Sequence, residues 1–138
     1  MPRVFESLDF VYVPTRDVNA VAARYVEALG AELLWSVRAM GTTVAALRIS
    51  ADGPQILLAG HLRGERPILV YRVASYVRSL AALRAAGIEE LDELEIPHGP
   101  CAVFHLGDGQ RYAVYELTRP QAEEHFLGRF DQFDQFDQ

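Results

Sequence analysis

The sequence predicts an α+β fold: two βαβββ modules forming one open eight-stranded cup with helices outside. Three observations predict it. A strand-like run, a helix-periodic run and three more strand-like runs occur in that order twice within 138 residues, the half-length repetition that marks a duplicated unit. Both helical runs stop at a glycine in the same setting, Leu29-Gly30 and Ala86-Gly87, and glycine takes the left-handed conformation at helix ends. The last two strand-like runs flank Gly107-Asp108-Gly109, a turn with the glycines that hairpins require. Neither module alone can cover its sheet face, so the two are expected to lie side by side.

The elements follow in order. Leu8 to Val13 reads as a strand ended by Pro14. Asp17 is placed to cap a helix reaching Leu29, with Val18, Val21, Tyr25 and Leu29 on one face. Glu32 to Arg38 is a strand with Leu34 and Ser36 on one side and Leu33, Trp35 and Val37 on the other. Thr42 to Ile49 and Gln55 to Ala59 are strands separated by Asp52-Gly53-Pro54. After a polar linker the plan repeats. Ile68 to Val73 is a strand, and Ser75 caps a helix whose apolar face is Tyr76, Leu80 and Leu83. Glu89 to Ile96 is acidic and suits an edge strand. Cys101 to Leu106 and Arg111 to Leu117 make the final hairpin. Pro120 to Phe130 is a short terminal helix, and Phe130-Asp131-Gln132 then repeats twice to residue 138. The expectation is a single domain over residues 1–138. Module 1 covers about 6–60, a linker 61–66, module 2 about 67–118 and a C-terminal extension 119–138.

Composition narrows the function classes. Half the residues are hydrophobic, 23% are charged, and the net charge is −6. Such a surface argues against nucleic acid and anionic membrane as partners, and leaves room for a small anionic ligand held by arginine. Cys101 is the single cysteine, so no internal disulfide forms. Residues 1–6 lack the apolar core of a signal peptide, and no apolar run approaches a membrane span of ~20 residues. The expected setting is the cytoplasm.

The paired modules, the Leu29-Gly30 stop and the final hairpin resemble the vicinal oxygen chelate superfamily, which includes glyoxalases, bleomycin-resistance proteins and extradiol dioxygenases. The resemblance covers residues 8 to 118. It implies a cup floor where a divalent metal is held by His, Gln or Glu from the first and last strands of each module. One ligand is a Glu four residues past the last turn glycine. That glycine here is Gly109, and four residues on stands Ala113. Aligned on Asp17 and the strand order, the other positions are Phe10, Leu57 and Ile68. None of the four side chains carries a donor atom, so the expectation is no metal and no cofactor.

What remains is an apolar cup. By strand alternation Phe10 shares its face with Tyr12, Ile68 with Arg72, and Ala113 with Arg111 and Tyr115. Trp35 is either a wall of this cup or core and interface. The candidate ligand-binding set is therefore Phe10, Tyr12, Trp35, Leu57, Ile68, Arg72, His98, Arg111, Ala113 and Tyr115. No catalytic residue is assigned. His98, between Pro97 and Gly99 at the rim, is the one weak candidate, because imidazoles titrate near neutral pH. His105 and Glu116 have the parity of outward-facing residues. Two outcomes stay open for the cup, a ligand cavity or a core filled by its own side chains. The leading functional expectation is a small-molecule binding protein of the glyoxalase/bleomycin-resistance type. The alternative is a glyoxalase-like lyase, isomerase or dioxygenase, with a metal site rebuilt from His61, His98 and Glu116 or acid–base chemistry from His98 and Tyr115. A module whose purpose is association is a third reading. A homodimer is expected, because open sheets leave edges to cover and the tail carries Phe130, Phe133 and Phe136.

Overall fold

The computed structural model describes residues 4–39 and 41–130. Its elements are β1 (Phe5–Pro14), α1 (Val18–Leu29), β2 (Glu32–Ala39), β3 (Thr42–Arg48), β4 (Gln55–Ala59), β5 (Ile68–Val73), α2 (Tyr76–Ala85), β6 (Asp92–Ile96), β7 (Gly99–His105), β8 (Arg111–Tyr115) and α3 (Ala122–Phe126). The strands form one eight-stranded sheet in the order β2-β3-β4-β1-β5-β8-β7-β6. The βαβββ unit thus occurs twice, joined where β1 and β5 run antiparallel. Within each unit the first strand lies parallel to the last, β1 to β4 and β5 to β8.

The helix signals operate as the residues imply. The Asp17 carboxylate accepts from Ala20 N, and Gly30 closes α1 at φ 66°. The Ser75 hydroxyl accepts from Arg78 N, and Gly87 follows α2 at φ 99°. Both helices cover the convex face. Val18 and Ala22 of α1 pack with Ala45, Leu47 and Leu58, while Leu80 and Leu83 of α2 pack with Val73, Ala102 and Val114. A third core lines the concave face and contains Phe10, Leu57, Ile68 and Ala113 together.

Strict alternation fails at three register shifts, between Phe5 and Ser7, Leu8 and Phe10, and Leu33 and Trp35, and the last two matter for the concave face. Leu33 pairs with Leu47 and Trp35 with Ala46, so Leu34 is an extra residue in its strand. Leu34 therefore joins Trp35 and Val37 in the concave core and not Ser36, while Leu33 packs on the helix side. In β1, Leu8 pairs with Tyr71 and Phe10 with Val70. Asp9 is the inserted residue, and the bulge re-aims its carboxylate toward Tyr115.

The chain beyond β8 does not leave the sheet. Gly128 N donates to Leu34 O at 2.9 Å and Ser36 N to Arg129 O at 2.9 Å, while Phe130 bridges to Ser36. The segment 119–130 is thus a strap from the β6–β7 turn across to edge strand β2. Phe133 and Phe136 lie outside the described residues. Among the described residues, no helix is long and apolar enough to cross a membrane.

Candidate functional site

The concave face encloses a cavity of about 260 Å³. Of the residues singled out in the sequence, Tyr12, Trp35, Leu57, Ile68, His98 and Ala113 line it. Cys101, Val103 and Phe126 complete much of the wall. The lining is almost wholly hydrocarbon, with Phe126 of the strap stacked on Trp35 at 5.0 Å between ring centroids. Burial lifts the Tyr12 phenol well above its ordinary range and the Cys101 thiol up to about 12. Neither ionises at neutral pH, so the cup presents an uncharged, weakly polar wall.

Polar groups gather behind His98, which lines this cavity while Gln55 and Glu123 line its polar neighbour. His98 is held there by its backbone. Its carbonyl accepts from both Thr118 N and Arg119 N at 3.0 Å, and the Arg119 guanidinium bonds Pro97 O and Ile96 O at 2.8 and 2.7 Å. Gly99 sits at φ 154°, and a Cβ there would lie 2.0 Å from Glu116 O. Only glycine lets the two segments approach so closely. His98 is 6% exposed, and its imidazole packs 4.9 Å from the Phe10 ring. Its Nε2 lies 3.9 Å from Oε1 of Glu123, a residue of α3. The Gln55 amide donates to the same Oε1 at 2.6 Å. His98 is the largest cause holding the Glu123 carboxyl below its ordinary range; burial opposes it, while Gln55 and Trp35 add to the lowering. Glu123 is therefore a carboxylate at neutral pH. Several buried polar atoms here have no hydrogen-bond partner: both ring nitrogens of His98, Oε1 of Gln55, Oε2 of Glu123 and Nε1 of Trp35.

Behind Phe10 and His98 lies a second, polar cavity of about 360 Å³. Phe10, Arg72 and Tyr115 line this one and not the apolar cup. The Tyr115 hydroxyl donates to Asp9 Oδ2 at 2.5 Å, and Arg72 Nε stands 3.8 Å from the same oxygen. Burial and the Asp9 contact raise the Tyr115 phenol far above its ordinary range. Arg111 lines neither cavity. Its guanidinium donates to the carbonyls of Arg63 and Arg66 at 2.6 and 3.1 Å, so it fastens the linker. Strand parity predicted its face but not where its long side chain runs.

The remaining sequence candidates separate. His61 lies at the cup margin. Glu116 faces outward, accepting from Tyr76 N at 2.8 Å, so His61, His98 and Glu116 do not converge. His105 is exposed. Glu123, Gln55, Phe126 and Asp9 were missed. The register carried the signal for Gln55, because the residue on β4 level with Phe10 is Gln55 and not Leu57. Across the sheet that row reads Gln55, Phe10, Val70, Ala113.

The sequence matches no family model and no curated protein. Solved structures do match. Methylmalonyl-CoA epimerase from Mycobacterium tuberculosis superposes with a TM-score of 0.71 at 20% identity, covering 88% of this chain and 95% of that one. A hypothetical protein from Bacillus halodurans C-125 gives 0.69 at 19%, covering 82% and 95%. A variant of the Streptomyces coelicolor methylmalonyl-CoA epimerase in complex with 2-nitronate-propionyl-CoA gives 0.67 at 17%, covering 83% and 99%. The likeness is one of fold: the chain shares its architecture with these epimerases.

It also corrects one expectation. The sequence reading implied no cofactor, whereas the epimerases that share the fold use a divalent metal. The strand positions themselves do not fit such an ion. Phe10, Leu57, Ile68 and Ala113 have no donor atoms, and in the observed row only Gln55 has one. Among the described residues, no group of three or more His, Cys, Asp or Glu is placed to hold a metal.

Proposed function

We propose that this protein is a glyoxalase-like isomerase that shifts a proton at the carbon beside a carbonyl in a small, largely apolar substrate. One observation carries the reading: His98 lines both the apolar cup and the polar cavity behind it, and there its imidazole stands 3.9 Å from the partly buried, ionised carboxylate of Glu123. The cup takes the hydrocarbon body of the substrate. Its volume, about 260 Å³, suits a short acyl group and not a whole coenzyme. Glu123 accepts the proton from carbon, the C–H electron pair moves toward the carbonyl oxygen, the proton exchanges with solvent, and a solvent-derived proton is then delivered to the opposite face or to a neighbouring atom. Nothing is oxidised, and no second reactant is needed. His98 faces the oxygen where charge develops. Gln55 orients Glu123 through the 2.6 Å bond to Oε1. Tyr115, Asp9 and Arg72 brace the wall from behind.

The test is proton NMR in D₂O with short acyl thioesters, the class to which methylmalonyl-CoA belongs, and small 2-oxo compounds. The expected result is enzyme-dependent loss of the α-proton signal, reduced about 100-fold or more in Glu123→Gln. A protein that exchanges no α-proton in any of these compounds is not this isomerase. The hydrocarbon lining favours a second reading, a protein that only sequesters an apolar ligand; saturable binding without exchange supports it. For assembly we propose a homodimer, because edge strand β6 is exposed along Asp92–Glu95. A full-length protein that runs as a monomer in concentrated light-scattering samples refutes this.

A further inference from the structure

We infer that the polar cavity behind Phe10 and His98 is a second ligand site, which takes a neutral α-amino acid with its carboxylate at Arg48 and its ammonium at Glu123. The cavity is about 360 Å³, at the small end of ligand pockets. Its wall carries charges of both signs, Arg48 and Arg72 against Asp9, Asp52 and Glu123. Some of these are already matched. Arg72 stands 3.6 Å from Glu6 and 3.8 Å from Asp9, and Asp9 also accepts from Tyr115. Arg48 is different. Among the described residues it makes no hydrogen bond and no ion pair, although its Nε is buried. Glu123 is ionised, and its Oε2 is likewise buried without a partner. A cation and an anion thus line one cavity and leave each other unpaired.

Gln55 stands between them. Arg48 on β3 is level with Gln55 on β4, and directly opposed residues on one face have Cβ atoms about 5 Å apart. The Gln55 amide donates through Nε2 to Glu123 at 2.6 Å and leaves its own Oε1 buried without a partner. In order, the wall offers a donor, an acceptor and a second acceptor. Buried polar atoms rarely go unpaired, so their partners belong to a ligand with an anionic acceptor beside a cationic donor. A simple anion meets Glu123 and Asp52, and a simple cation meets Arg48. An α-amino acid answers both, because its ammonium nitrogen and carboxylate carbon are held roughly 2.5 Å apart across one carbon. The guanidinium fork suits the carboxylate, and Gln55 Oε1 and Glu123 Oε2 suit the ammonium. Leu8, Phe10, Leu117 and Pro120 line the same cavity, which selects an apolar side chain. The site goes beyond the isomerase reading but shares Glu123 with it. An ammonium held there occupies the carboxylate that would take a proton from carbon.

The test is isothermal titration calorimetry of the full-length protein with L-leucine and L-phenylalanine. At least one is expected to bind saturably, one per chain, and to raise Tm by roughly 5 °C at ten times its Kd. Analogues divide the head group: 4-methylpentanoate and 3-phenylpropanoate lack the ammonium, while 3-methylbutylamine and 2-phenylethylamine lack the carboxylate. Each is expected to bind at least about tenfold more weakly than its parent. Arg48→Gln and Glu123→Gln should each weaken amino-acid binding by a similar factor, whereas Arg24→Ala, on the exposed side of α1, leaves it unchanged. Should a variant fail to fold, the analogues decide on the unaltered protein. No binding of either amino acid, an analogue as tight as its parent, or binding indifferent to both glutamine substitutions overturns the site. Amino-acid binding without α-proton exchange in any thioester or 2-oxo compound upholds the site and sinks the isomerase. Exchange by a protein that binds neither amino acid sinks the site alone. Where both occur, saturating amino acid suppresses exchange; unaffected exchange overturns the placement of the ammonium at Glu123.

Discussion

Replacing Phe126 by Ala should unfasten the strap and open the cup from one side. The ring stacks on Trp35 at 5.0 Å and 31°, and it is the largest apolar group that α3 sends to the concave core. A fully buried Phe→Ala substitution costs about 3–5 kcal/mol. Phe126 is half-buried, so roughly half of that, ~2 kcal/mol, is expected, with the ring pair supplying ~1 kcal/mol of it. For 138 residues the unfolding entropy is about 0.3 kcal/mol/K, which converts the loss to a Tm decrease of ~7 °C. The assay has a built-in reporter. Trp35 is the single tryptophan and is only 5% exposed, so its emission should move to longer wavelength in Phe126→Ala. Phe126→Leu, which keeps an apolar contact, should lie between wild type and Ala in both readouts. A Tm within about 1 °C of wild type together with unchanged Trp35 emission would refute the strap's packing role.

Glu123 has its folded pKa below the unfolded value of 4.5, so its contribution is complete above that value and disappears as pH falls through the folded one. Acid denaturation should therefore have a steeper low-pH limb in wild type than in Glu123→Gln, and identical limbs would show that the carboxylate is not held. Cys101, buried with its thiol near 12, should react with iodoacetamide at least ~100-fold more slowly in the native protein than in urea; rapid native labelling would mean an open cup wall. Gly99→Ala must place a Cβ where Glu116 O now stands, 2.0 Å away, and should cost about 3 kcal/mol or more by urea unfolding; a neutral result would show that the turn relaxes freely.

Most of the architecture was legible because its signals are local. Asp17, Ser75, Gly30 and Gly87 act within one turn of their helices, and the hairpin around Gly107-Asp108-Gly109 needs only its own residues. The shared concave face of Phe10, Leu57, Ile68 and Ala113 was also legible, because strand alternation holds along the second half of β1 and along β5 and β8, although the row level with Phe10 runs through Gln55 and Val70. The failures have one physical source, pairing between distant strands. A bulge adds a residue without any sequence mark, so Leu34 and Asp9 appeared to face away from the surfaces they serve. The level of Gln55 with Phe10 is a property of the β1–β4 ladder and not of either strand. Arg111 was placed on the right strand face, but a guanidinium on a long stem reaches carbonyls that parity cannot foresee.

The polar end was hidden for a further reason. Its residues come from parts of the chain that look like connections: the β6–β7 turn supplies His98, and the segment after the last strand supplies Glu123. A turn can present a buried imidazole only if its backbone is held on both sides. Here the His98 carbonyl receives two N–H donors from residues 118 and 119, while Gly99 admits Glu116 O at the back. Those anchors belong to the chain that leads directly into α3. The clamp on His98 and the delivery of Glu123 are therefore one structural device. Substitutions along residues 116–119, although remote from the cup cavity, should change the His98–Glu123 geometry before they change the sheet.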